Sequence, residues 1–251
     1  MIIKNKFHNI FWNIYAFFYD NLTLYYPAYY RQLNQIYSLI KNYLNKDSIV
    51  LDFGCGTGGL LKIIEKEAGY IVGVDRSFVM VNRAKRKVNK SLFVIADANN
   101  LLPFKKESFS LITAINSLYM LINPEKTIQD FYSSLKFNGR LIISNPLWKP
   151  SILKIVKALF KDEGIVRGLK LFFRLFLVGL LNIFITEEFK KEVFHSYSEE
   201  ELTNILERIG FRIETITRTY ILNSNILVCA VKLPPFPPAG WKEGKRENSK
   251  G

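Results

Sequence analysis

From Ser48 onward, short β-branched apolar runs alternate with longer stretches whose apolar residues recur every three or four positions. This is the pattern of strands feeding helices in a parallel sheet. Residues 48–53 read as a first strand and 57–68 as a helix with Leu60, Leu61, Ile63 and Ile64 inward. A second strand covers 70–75, followed by a basic helix over 78–89 carrying Val79, Met80, Val81, Ala84 and Val88. Third and fourth strands fall at 92–96 and 109–115. A helix over 124–137 opens on Pro124, whose missing N–H costs nothing in a first turn. Asn138-Gly139 then turns the chain into a fifth strand, 140–144.

The second half changes character. Residues 146–195 form an insertion dominated by Leu, Ile, Phe, Lys and Arg. After it, Ser198 with Glu201 three residues later makes a capping box for a helix that ends at Gly210. Two extended segments, 211–220 and 225–231, close the fold through a turn at Asn223-Ser224. The organisation expected is an aromatic helical segment at 1–45, an α/β domain from 46–145 and 196–232, the insertion between them, and a flexible Pro-rich and charged tail at 233–251.

Composition adds little until charge is counted. Apolar residues make up 49% and charged residues 23%, an ordinary globular balance. Two cysteines, Cys55 and Cys229, lie far apart, so neither a disulfide framework nor a metal site is available, and a reducing cytoplasm is expected. The aromatic N-terminus is interrupted by Lys4, Lys6, His8, Asn9 and Asn13 and does not read as a signal peptide. A net charge of +13 implies attraction to something anionic: nucleic acid, a membrane surface or an acidic substrate.

Candidate chemistry begins in the first turn, Leu51-Asp52-Phe53-Gly54-Cys55-Gly56-Thr57-Gly58. Glycines between a strand and a helix let backbone N–H groups approach a ligand. Gly54, Gly56 and Gly59 even satisfy the spacing of a dinucleotide fingerprint, which keeps a nicotinamide-dependent oxidoreductase open as an alternative. Asp52 weighs against it: a carboxylate there repels a pyrophosphate but can answer an amino group. Asp75 lies 23 residues beyond Asp52, and Asp97 another 22 beyond that. Three acids ending three consecutive strands converge at the carboxyl edge of the sheet, where open α/β sheets bind ligands.

Together, Val50–Gly58, Val72-Gly-Val-Asp-Arg-Ser77, Ala96-Asp-Ala with Leu102-Pro-Phe104, Leu135–Ile143, and Ser198-Glu-Glu-Glu-Leu with Gly210-Phe211 resemble the motifs of the class I S-adenosylmethionine-dependent methyltransferases. The resemblance covers residues 45–145 and 196–232. It implies a doubly wound, seven-stranded, mostly parallel sheet with a C-terminal antiparallel hairpin, S-adenosylmethionine as cofactor, and methyl transfer as the activity. The cofactor-binding set it implies is Asp52, Phe53, Gly54, Gly56, Asp75, Arg76, Asp97, Ala98 and Asn116. In it Gly54 and Gly56 approach the methionine part, Asp75 holds the ribose, and Arg76 flanks the adenine. Asp97 and the Ala98 backbone read the adenine edge, and Asn116 sits nearest the methyl. Phe137-Asn138 departs from the family's usual Pro-Gly. A protein that binds the cofactor without catalysis is the second alternative.

Missing features narrow the acceptor. Residues 115–119 contain no proline, unlike the motif of base-amino methylating enzymes, and neither cysteine is placed as a nucleophile, so both nucleic-acid readings weaken. No metal is expected, and neither His8 nor His195 is expected to act as a base. In the insertion, Ile152, Ile155, Val156 and Leu159 recur at helical spacing opposite Lys154, Lys157 and Lys161. Residues 171–185 are too short and too interrupted by Arg174 to span a bilayer. The insertion therefore reads as a helical lid, alone or with peripheral membrane contact through 151–185. Either way, an apolar roof favours a hydrophobic small molecule or lipid precursor, methylated on oxygen or carbon.

Overall fold

The computed structural model describes residues 27–89, 91–97, 104–147, 195–220 and 223–235, with 156, 157, 160, 161, 163–173 and 176 from the insertion. The aromatic segment 1–26, Ala98, most of the insertion and the tail beyond 235 lie outside the described residues. Seven strands are present: β1 Ile49–Phe53, β2 Tyr70–Asp75, β3 Ser91–Ile95, β4 Phe109–Ile115, β5 Leu135–Pro146, β6 Phe211–Thr219 and β7 Asn225–Lys232. They form one sheet in the order β3-β2-β1-β4-β5-β7-β6. The first five run parallel, and β7 is antiparallel to both β5 and β6. This is the doubly wound sheet with a terminal antiparallel pair that the sequence implies.

Helices cover both faces. On one lie α1 Pro27–Ile40 and α2 Gly59–Ile64, whose Leu33, Ile36, Ile40, Leu60, Leu61 and Ile64 pack on Val50, Leu111, Ile142 and Leu227. On the other, α4 Pro124–Ser134 and α5 Glu199–Ile209 press Ile128, Phe131, Leu202 and Leu206 onto Leu51, Ile112, Ile143 and Val228. Each such side chain contributes about 1.5–3 kcal/mol when removed from water. Between α2 and α4 in sequence, α3 Phe78–Lys87 buries Met80, Val81 and Ala84. Helical residues 163–173 bring Leu171 onto Ala28 at the start of α1, beside Tyr220.

Two expected helices are shorter than their apolar periodicity suggests. α2 begins only at Gly59, because Gly54, Gly56 and Gly58 hold positive φ of 72°, 51° and 78°. α4 stops at Ser134 rather than 137: Leu135 is extended, fully buried and paired with Phe109, so β5 begins five residues before Arg140. The Asn138-Gly139 turn survives inside β5 as an irregularity, with Asn138 at φ 62° and the register with β4 shifted between Phe109 and Leu111.

Candidate functional site

The glycine turn after β1 is held by its own backbone. Gly54 N–H and Cys55 N–H both donate to Val74 O at 2.8 and 2.9 Å, and Gly58 N–H donates to Cys55 O at 2.9 Å. Gly56 N–H donates to Asp75 Oδ2 at 2.9 Å, while Ser77 N–H donates to Asp75 Oδ1 at 2.8 Å. Asp75 thus ties the turn to the N-cap of α3. These four turn amides are engaged and none is open to a pyrophosphate, and the group facing them is a carboxylate. Gly54 also has no room for a side chain: a Cβ there would lie 2.5 Å from Ser117 Cβ.

Of the two acids at this edge, Asp52 is buried and Asp75 half-buried. Asp52 is 3% exposed and accepts the Thr113 hydroxyl at 2.7 Å. Burial pushes its carboxyl up to about 7, the Thr113 hydrogen bond pulls it down, and the charge of Asp75 pushes it up again. Burial also raises Asp75, opposed by the Ser77 and Gly56 amides and by Arg76. Two interacting carboxyls at this edge suit a cation that carries no phosphate. Ala96 N–H donates to Asp75 O at 3.2 Å, so the end of β3 is drawn toward Asp75, and Asp97 follows as an exposed residue. Ala98 is outside the described residues. Phe53 does not present its ring here. It is 2% exposed and packs edge-on to Phe131 at 4.9 Å, leaving only its backbone for a ligand.

Beyond β4 the chemistry turns neutral. Asn116, at φ 54°, donates Nδ2 to Gln32 Oε1 at 3.2 Å and accepts Asn225 Nδ2 at 2.6 Å. Gln32 Nε2 donates to Ser144 Oγ at 3.0 Å, and Asn225 Nδ2 also reaches Ser144 Oγ at 3.4 Å. Four side chains from α1, β4's end, β5 and β7 therefore close a hydrogen-bonded ring. Of these, sequence reasoning identified only Asn116. One signal was available for Gln32: a polar residue on the apolar stripe of Ala28, Leu33, Ile36 and Ile40, itself fully buried.

Both thiols are held in their neutral form. Cys55 and Cys229 are buried, and burial raises both, Cys229 to about 12. No group of three His, Cys, Asp or Glu side chains among the described residues is arranged to hold a metal ion.

Residues 26–216 match the family model described as "Methyltransferase domain". A ubiquinone/menaquinone biosynthesis C-methyltransferase of Campylobacter jejuni is 31% identical over 108 residues, 40% of this chain. The match spans 46% of that relative, less than half its length. The carboxy-S-adenosyl-L-methionine synthase of Nautilia profundicola is 28% identical over 211 residues, 79% of this chain and 85% of that protein. Among solved structures, magnesium protoporphyrin IX methyltransferase from Synechocystis, with bound SAH, aligns with a TM-score of 0.54 over 80% of this chain and 82% of its own. At 18% identity that likeness is one of fold.

Proposed function

The chain belongs to the S-adenosylmethionine-dependent methyltransferases, and from that premise we propose that it moves a methyl group onto oxygen or carbon of a hydrophobic small molecule or lipid precursor. The observation that carries the cofactor half is the Asp75 bond to Gly56 N–H, with Asp52 buried behind it: a turn whose amides are occupied and whose side chains are acidic favours a phosphate-free cation over a dinucleotide. In this reading Gly54 and Gly56 lie along the methionine part and Asp52 answers its amino group. Asp75 takes the ribose hydroxyls, Arg76 flanks the adenine, and Asp97 with Ala98 lines its edge. Asn116, fixed by Gln32 and Asn225, stands nearest the methyl.

When bound, S-adenosylmethionine supplies a methyl group on a sulfonium, ready for in-line displacement. The residues then have mainly to align: holding two reactants in attack geometry supplies much of such an acceleration. The amide ring does this without charge, which suits a neutral acceptor. Titration calorimetry with S-adenosylhomocysteine and NADH tests the assignment, and methyl release onto a metabolite extract tests catalysis. Binding of NADH without S-adenosylhomocysteine would overturn the reading.

One observation favours a lipid surface as a partner. Along the helical residues 163–173 and at 176, Ile165, Val166, Leu169, Phe173 and Phe176 are all exposed, Ile165 and Val166 at 74%. Their spacing puts them along one side, beside the cations Arg167 and Lys170. A basic helix with exposed Phe and Leu lies readily in an anionic membrane interface. None of the described helices is long and apolar enough to cross a bilayer.

A further inference from the structure

Buried polar atoms in native proteins are hydrogen-bonded in roughly 90% of cases or more, so those that are not point to something that binds them. Five buried side-chain atoms have no hydrogen-bond partner among the described residues. Four of them, on Ser117, Asn145, His195 and Thr219, belong to the neutral half of the sheet's carboxyl edge, where β4, β5 and β6 end.

Two of the four are tied to the cofactor turn by short steps. Ser117 packs against Gly54, with its Oγ 3.2 Å from where a Gly54 Cβ would be. Two residues on, Tyr119 O accepts the His195 N–H at 3.0 Å. Since consecutive Cα atoms are about 3.8 Å apart, Ser117 and Tyr119 are separated by no more than about 7.6 Å. On its other side His195 O accepts Asn145 Nδ2 at 3.2 Å. The histidine is therefore clamped between the loop after β4 and the end of β5. Its ring lies parallel to Tyr197, with centroids 6.0 Å apart and planes 8° apart. Nε2 is the ring atom left buried without a partner.

We propose that His195 takes the proton of the methyl acceptor, which is an uncharged hydroxyl compound of the phenol or enol class, methylated on oxygen. The inference rests on the methyltransferase reading above. In the step, the acceptor O–H bond breaks and its proton passes to Nε2 while the oxygen forms its bond to the methyl carbon. The carbon–sulfur bond breaks with its electron pair going to sulfur, and the imidazolium then releases its proton to water. Asn145 is a positioning residue: its amide holds the His195 backbone.

The chain has only two histidines, so His8→Asn leaves one imidazole to observe by nitrogen-15 NMR. The His8→Asn protein, saturated with S-adenosylhomocysteine at pH 8, is titrated with phenol and with anisole, whose oxygen is already blocked. Phenol should move the Nε2 resonance saturably, with an affinity about tenfold above anisole, one hydrogen bond's worth. His195→Gln should erase that preference and leave S-adenosylhomocysteine binding unchanged by calorimetry. Equal responses to the two probes, or none to either while S-adenosylhomocysteine binds, would overturn the proposal. Failure of S-adenosylhomocysteine to bind would overturn the methyltransferase reading and this one with it.

Discussion

Burial raises the Asp52 carboxyl to about 7 even though the Thr113 hydroxyl pulls it back, and the neighbouring Asp75 adds to the rise. Near neutral pH this acid is therefore partly protonated until a cation arrives. Pairing with the ligand's ammonium draws the value down, so binding at pH 7 should release a fraction of a proton. Calorimetry in phosphate and in Tris should then give different apparent enthalpies at pH 7, a difference that fades at pH 9 and in Asp52→Asn. Equal enthalpies at pH 7 would remove Asp52 from the contact. Asp52→Asn should also bind S-adenosylhomocysteine more weakly and gain no affinity for NADH. Because folding raises this pKa from 3.8, the group's contribution to stability is full below that value and lost as the pH climbs through about 7. Asp52→Asn should accordingly melt above the wild type by a margin that widens from pH 4 to 7 and then levels. For Asp75, whose oxygens accept Gly56 and Ser77 amides, the change to Ala should weaken S-adenosylhomocysteine binding by about 1.5–3 kcal/mol in a variant with unchanged circular dichroism.

The element that sequence describes best is α5. Ser198 Oγ accepts Glu201 N–H at 3.1 Å, Ser198 N–H donates to Glu201 Oε2 at 2.7 Å, and Gly210 ends the helix at φ 116°. Ser198→Ala should cost about 1 kcal/mol in chemical denaturation, the usual value for a lost cap; a change within error would mean the box adds nothing. Strands β2 and β4 are equally legible, since β-branched runs bounded by turn residues carry their own limits. The ends of α2 and α4 are not. Three left-handed glycines delay one, and pairing of Leu135 with Phe109 stops the other, and neither cause is written in local periodicity. The site divides the same way. Asp52, Gly54, Gly56 and Asp75 sit in two motifs at the ends of consecutive strands, so their meeting could be read. Gln32, Asn116, Ser144 and Asn225 meet across separations of up to 112 residues, and His195 enters from the far end of the insertion, where no spacing rule reaches.

At the scale of the molecule, the proposed membrane contact would combine a net charge of +13 with an exposed apolar helix side. The protein should float with anionic vesicles more than with neutral ones, and less as salt rises, since exposed charges are screened over about 8–10 Å at physiological ionic strength. Ile165→Gln with Phe173→Gln should abolish flotation while S-adenosylhomocysteine affinity holds. A wild type that stays unbound with anionic vesicles at low salt would end the membrane proposal.

The last strand in sequence is not last in space. β7 lies between β5 and β6, and all eight of its residues are buried. During synthesis β5 must therefore wait with one edge unpaired until Asn225–Lys232 has left the ribosome, several seconds at roughly 5–20 residues per second. An open edge of that kind is a template for wrong pairing. The nascent chain thus passes through a window in which that edge stands open, and a message cut short before Asn225 yields a chain that lacks both an interior strand and a corner of its amide ring.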